Sequence, residues 1–338
     1  MNSIKQIMKS GAMMLALSLA FTSCDELIGE LDNLAPNPVT PTPEPAPNML
    51  ETPLTLEAAV AGAKVTFKAD NTYPEPKDIE FSTDGGATWT AGNTGGDGVV
   101  VTLQNVGDKV MFRGNNSYYS KVSGNGTPPP YNSISCTADC YVYGNIMSLI
   151  SADNFATLKE LTAEYTFHQL FMDNSFIKNH PNAAYTLELP ATTLTDRCYD
   201  TMFNNCKSLV TPPALPATTL AQGCYSNMFS YCTSLATAPA LPATELKTSC
   251  YMFMFQDCTS LESTPKLPAE TLAPSCYEDM FQSCGNLKEA WVKADYGAEC
   301  EEMFQDCKSG GVLHTASTST NWNPGTAMPA DWTIKKDY

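Results

Sequence analysis

Between residues 189 and 307 apolar positions return on a beat of four. Leu220, Cys224, Met228 and Cys232 follow one another at that interval, with Tyr225 and Phe229 beside them. Read as helical periodicity, the pattern puts all six on one stripe of a short helix, and that stripe has to face a core. The next stretch, "TSLATAPALPAT" (233–244), alternates and carries prolines. It predicts a short strand around Ser234–Ala236 followed by an extended turn.

The block recurs along the chain. Leu-Pro-Ala begins at Leu189, Leu215, Leu241 and Leu267, a period of 26, and Cys-Tyr begins at Cys198, Cys224, Cys250 and Cys276 in the same step. The Phe-x-x-Cys ending keeps time at Cys206, Cys232, Cys258 and Cys284. A short unit cannot bury its apolar face alone, so the array predicts a solenoid in which neighbours share a core. Phe203, Phe229, Phe255 and Phe281 form one expected internal ladder, and Leu209, Leu235, Leu261 and Leu287 another.

Residues 52–127 differ in kind. "AKVTFKA", "DIEFST", "TWTAG", "GVVVTL" and "DKVMFRG" are short β runs parted by Gly, Asn and Pro, which predict a small β-sandwich-like domain. The fold expected is thus α+β: an N-terminal all-β sandwich-like domain and a leucine-rich-repeat-like solenoid of strand–turn–helix units. The sequence divides into 1–23, 24–51, the β domain 52–127, a connector 128–148 and the solenoid with its caps, 149–338. "EYTFHQLFMDNSFIKNHPNAAYTLELPA" reads as a degenerate first unit, with Phe171 in the place of the repeat's Phe, and "CEEMFQDC" (300–307) as a last one. Trp322 and Trp332 are expected to cover the final core.

The cysteines admit several chemistries. On a helix, residues eight apart lie ~12 Å apart, beyond the reach of a disulfide, so no bridge closes within a unit. Bridges between adjacent units remain open. Zinc would want close Cys or His pairs, but the repeats have neither C-x2-C nor histidine, and His168, His180 and His314 all lie outside them. A catalytic thiol would be one distinguished cysteine, whereas here the same one recurs. A packed thiol ladder of Cys198, Cys206, Cys224, Cys232, Cys250, Cys258, Cys276 and Cys284 is the favoured reading. Cys136 and Cys140 stand apart, as a local disulfide or as two inward thiols.

Phe203, Cys206, Ser208, Leu209, Leu215 and Pro216 follow the order Phe-x-x-Cys-x-Ser-Leu, a few residues, then Leu-Pro, as do the next three units with small changes. From about 189 to 307 the pattern resembles the BspA-like leucine-rich repeat surface proteins. That resemblance implies a helical side closed by a cysteine that caps backbone groups, and a family that includes adhesins.

The chain opens with a positive segment, Lys5 and Lys9, and a short apolar run, Gly11–Phe21, which read as an export signal too short to span a bilayer. It ends in "LAFTSC", which resembles a bacterial lipobox and implies a lipid on Cys24. Asp25, Glu26 and Glu30 follow, then a proline-rich spacer. Acidic residues there resemble the signal that sends Bacteroidetes lipoproteins to the outer face of the outer membrane. Without 1–23 the chain loses two of its 19 basic residues and keeps 36 acidic ones, for a formal charge of −19. Nucleic acid is therefore not an expected partner.

"STDGGATW" resembles an Asp-box hairpin, with Ser82, Asp84, Gly86 and Trp89 in the motif's places. It occurs once, and a sialidase's three substrate arginines cannot be drawn from Arg113 and Arg197 alone. A hairpin is the simpler role. No catalytic constellation, metal cluster or phosphate loop emerges, so neither enzyme activity nor cofactor is expected. The leading expectation is a surface lipoprotein that binds protein or polysaccharide through a repeat face exposing Val210, Thr211, Ala236, Thr237, Glu262 and Ser263. The alternatives are a passive spacer or coat, and an accessory glycan binder whose Tyr118, Tyr119 or Trp322 would stack on sugars.

Overall fold

The computed structural model describes residues 47–70, 72, 74–121 and 129–338. The export signal, Cys24 and the spacer up to residue 46 lie outside the described residues, as does the start of "TPPPY".

The front part is built from short strands, of which 63–69 and 132–136 bury every second side chain. One sheet holds β1 (Leu54–Ala58), β3 (Asp78–Ser82), β4 (Thr90–Asn93), β6 (Lys109–Gly114) and β8 (Cys140–Asn145), in the order β8-β1-β6-β3-β4. The other holds β2 (Ala63–Ala69), β5 (Val99–Leu103) and β7 (Asn132–Cys136), in the order β5-β2-β7. Residues 132–145 are thus two strands of these sheets, where a connector was expected. Their alternation, Ile134 and Cys136 in β7 and Cys140 and Val142 in β8, buries them as core. The "STDGGATW" segment is a hairpin turn. Ser82 Oγ donates to Asp84 Oδ1 at 2.7 Å, Gly86 N–H to Ser82 Oγ at 2.9 Å and Thr88 N–H to Asp84 Oδ1 at 2.9 Å. The Thr88 hydroxyl on Oδ2, then the Thr88 N–H and the Ser82 hydroxyl, hold the Asp84 carboxyl down at about 2.

The repeats form a β-solenoid, not an α+β leucine-rich-repeat array. The stripe at Leu220–Cys232 is buried as expected, but it is a run of consecutive turns and contains no helix. Every fourth residue there takes a left-handed backbone: Gly223 (φ 59°), Asn227 (54°) and Tyr231 (62°), with Arg197, Thr201 and Asn205 one coil earlier and Ser249, Phe253 and Asp257 one coil later. Hydrogen bonds alternate with the same rhythm. Tyr225, Asn227, Phe229 and Tyr231 N–H groups donate to Cys250, Met252, Met254 and Gln256 carbonyls of the next coil at 2.8–3.0 Å. Cys224, Ser226, Met228 and Ser230 donate back three residues along their own coil, at 3.1–3.4 Å. The physical reason is visible in the spacing: a helix overshoots by roughly 40° in four residues, so a strict beat of four drifts off any helical face. A chain that resets itself with a left-handed residue at each fourth place does not drift.

The strand expected at Ser234–Ala236 is absent too. The early coils meet at the isolated parallel bridges Glu160–Thr193 and Thr193–Thr219, and strand ladders appear only late in the array, where β11 (Ser263–Leu267), β12 (Glu289–Val292), β13 (Val312–Thr315) and β14 (Thr333–Lys335) form a parallel sheet in that order. The earlier coils carry Pro212, Pro213 and Pro239 in this stretch, and proline has no N–H to give a ladder. β11 still carries Pro265, and its register to β12 shifts there, but Glu289–Val292 contains no proline and can supply N–H groups, so laddering begins between these two. Two further short strands, β9 (Ile177–Lys178) and β10 (Leu187–Glu188), join the first coil to β8 in parallel.

Stacked rings run the length of the core. Phe171, Phe203, Phe229, Phe255, Phe281 and Phe304 succeed one another at 5.4–5.9 Å with their ring planes nearly parallel. A second column starts in the front sheets at Phe67 and continues through Tyr119, Phe167, Tyr199, Tyr225, Tyr251 and Tyr277 at 5.5–6.3 Å. Trp322 and Trp332 close the Phe column, packing on Phe304 at 5.9 and 5.3 Å. Front sheets and coils thereby share one continuous hydrophobic core.

Candidate binding face

Every ladder residue expected from the sequence is at most 1 % exposed. The two cysteines of a unit do different things. The second, Cys206, Cys232, Cys258 or Cys284, donates its thiol to the carbonyl of Phe171, Phe203, Phe229 or Phe255 in the coil before, at 3.0–3.1 Å. Cys307 does the same to Phe281 at 3.1 Å. The first of each pair fills the space beside the Tyr column. Burial pushes these thiols up, Cys198 and Cys232 to about 12, so they remain protonated and unreactive at neutral pH.

The six outward residues of the expected binding face are all exposed. They sit in two rows that cross the coils. Ala236 N–H donates to Val210 O at 3.0 Å, which sets these two side by side, and Glu262 O, one period further on, accepts from Lys288 N–H of the following coil at 2.9 Å. Glu262 carries an ion pair to Lys288 at 3.2 Å. Thr211, Thr237 and Ser263 form the adjoining row. Asn179, which no sequence motif marks, anchors the start of both rows. Its Oδ1 accepts from the N–H groups of Val210 and Thr211 at 3.0 and 2.9 Å, and its Nδ2 donates to Thr211 O at 2.8 Å. The only signal for it was the turn-rich "KNHPN".

Beside these rows runs a furrow. A cleft of about 390 Å³ lies between 179–188 and 209–214, with Val142, Leu187 and Leu209 among its lining and Asn179, His180 and Tyr185 along its wall. A second, of about 360 Å³, lies between 211–216 and 237–242 and shares Thr211–Ala214 with the first. Among the described residues no backbone hydrogen bond joins 212–216 to 238–242. The prolines that break the ladder leave the backbone of 212–216 and 238–242 unpaired across the seam, and the second cleft has no charged side chain in its lining.

The aromatic residues considered for sugar stacking are not available for it. Tyr119 and Trp322 are buried, and Tyr118 has the Lys77 ammonium 3.8 Å over its ring and its hydroxyl on Glu75 at 2.8 Å. The three histidines lie apart. His168 meets Asp200, His180 packs among Tyr141, Tyr143 and Tyr185, and His314 stacks on Trp291 at 3.8 Å between Glu289 and Asp337. The two arginines are likewise engaged locally, Arg113 with Glu80 and the Trp89 ring, Arg197 with Asp200. Among the described residues, no helix is long and apolar enough to cross a membrane. Compared with known proteins, the chain matches no family model, no curated protein and no solved structure.

Proposed function

We propose that this protein is a non-enzymatic binding scaffold of the cell surface, held by a lipid on Cys24 at the outer membrane, and that the furrow beside Thr211 and Thr237 is where it engages an extended ligand. The observation that carries this reading is the continuity of the two clefts through Thr211–Ala214, directly against the outward rows. An extended protein segment or a neutral glycan chain suits such a groove, because unpaired peptide groups can hydrogen-bond along its length while proline and threonine side chains supply apolar contact. The lack of an open aromatic platform at Tyr118, Tyr119 and Trp322 favours protein over glycan. Kinship with the BspA-like adhesins belongs to the same proposal and rests on the Phe-x-x-Cys-x-Ser-Leu order alone.

The test is an array of extracellular matrix proteins and soluble polysaccharides probed with the wild type and with a Thr211→Arg/Thr237→Arg variant that fills the furrow. A ligand bound by the wild type and lost by the variant supports the scaffold. Wild type that binds nothing, or binding indifferent to the two arginines, leaves the passive spacer as the better reading.

A further inference from the structure

Cys136 and Cys140 lie outside the repeat ladder and are arranged differently from it. Cys136 ends β7 and Cys140 opens β8, two strands that belong to different sheets. Only three residues part them, and the backbone at both ends of that step is pinned: Thr137 N–H donates to Lys64 O and Ala59 N–H to Asp139 O, each at 3.0 Å. This brings the two thiols within hydrogen-bonding contact of each other. The ladder thiols that end each unit point instead at carbonyl groups of the preceding coil. Asn174 also reaches the pair, its Nδ2 3.6 Å from Cys136 Sγ while it holds Ile134 O at 3.0 Å.

We propose that Cys136 and Cys140 are an oxidisable pair that closes into a disulfide in an oxidising compartment, while the ladder thiols stay reduced. Cys136 is the attacking sulfur. It retains 8 % exposure where Cys140 has none. The hydrogen bond from Cys140, joined by the Asn174 amide, draws its thiol below the ordinary range, whereas the same bond and burial push Cys140 up. The oxidant is a disulfide, small or carried by a protein. The Cys136 thiolate attacks one of its sulfurs, breaks that S–S bond and releases one thiolate. Cys140 then gives up its proton and attacks Cys136 Sγ in the mixed disulfide, releasing the second thiolate. Two electrons and two protons pass to the oxidant, which leaves as two thiols.

The bond would tie the two front sheets together where the first coil docks on them, since Ile134 N–H donates to Leu170 O at 2.7 Å and Cys140 N–H to Phe176 O at 2.9 Å. The test uses oxidised glutathione on the purified reduced protein, followed by acid quench, alkylation in denaturant and tryptic digestion. Residues 122–159 form one tryptic peptide that holds these two cysteines and no other. The expected result is this peptide unalkylated and lighter by two hydrogens, with the repeat peptides alkylated. A doubly alkylated 122–159 peptide, or one joined to a repeat cysteine, overturns the proposal. The assignment of roles has its own readout: Cys140→Ser should take up glutathione at Cys136 faster than Cys136→Ser takes it up at Cys140, because Cys136 is the more exposed sulfur and keeps the Asn174 amide beside it. Equal or inverted rates overturn that assignment.

Discussion

Tyr231 offers a direct way to distinguish a coil of turns from a helix, because glycine and alanine exchange rank between the two. Its backbone is left-handed at φ 62° and its side chain is 45 % exposed. Truncation to alanine or to glycine removes nearly the same contacts, so the difference between Tyr231→Ala and Tyr231→Gly isolates the backbone. A side chain with a Cβ pays about 1–2 kcal/mol in the left-handed region. Glycine avoids that but loses about 0.5–1 kcal/mol more conformational entropy on folding. The glycine variant should therefore be the more stable by roughly 0.5–1 kcal/mol. In a helix the order reverses, with alanine ahead by about 1 kcal/mol. Urea titration of both variants, followed by near-ultraviolet circular dichroism, reads the difference as a shift in midpoint at constant slope. An alanine variant that outlasts the glycine one would refute the turn assignment and restore the helical reading.

Phe229 stacks on Phe203 and Phe255 at 5.5 and 5.7 Å, so Phe229→Ala should cost about 3–5 kcal/mol, checked by thermal melting. Val210→Ala, on the exposed row, should move stability by less than about 0.5 kcal/mol in the same assay. Cys232→Ala removes the thiol donor from Phe203 O, which keeps the Cys206 N–H, and should cost about 0.5–1.5 kcal/mol by urea titration. Asp279 is raised to about 6 by burial and by the nearby Glu302, Glu278 and Glu301. Its folded state holds the proton more tightly than the unfolded chain, so its contribution is fully present below about pH 4 and is lost as pH rises through about 6. Wild type should lose stability over that window relative to Asp279→Asn, and parallel pH profiles for the two proteins would contradict this.

Repetition at 26 residues made the solenoid, its ladder and its buried thiols legible, since position within a repeat reports burial whatever the local backbone does. The backbone itself was misread because Leu220, Cys224, Met228 and Cys232 match the i, i+4 template, and one interval of four cannot tell a helix from a turn. Three intervals can, and the residues between them spoke for turns: Asp173, Asn205, Asn227, Asp257, Asp279 and Asp306 occupy left-handed places that asparagine and aspartate favour. Tyr231 and Phe253 at equivalent places obscured that signal. The outward rows could be placed from the ladder by exclusion. The furrow could not, because it depends on which coil lacks N–H groups opposite which carbonyls. Asn179 lay hidden for a similar reason, as its partners Val210 and Thr211 are 31 and 32 residues away.

The early coils are sewn together densely along the turns and only at scattered points opposite them, such as Ala236 on Val210. Along the turns every second amide stitches one coil to the next, while opposite Pro212, Pro213 and Pro239 the seam is open. The early part of the array is thus put together like a bound book, inextensible at the spine and free to fan at the pages. Bending that spreads the open edge breaks no backbone hydrogen bond between 212–216 and 238–242, whereas bending the other way strains the stitched amides. From β11 onward, where strands pair across the pages as well, the volume is glued shut and that freedom ends.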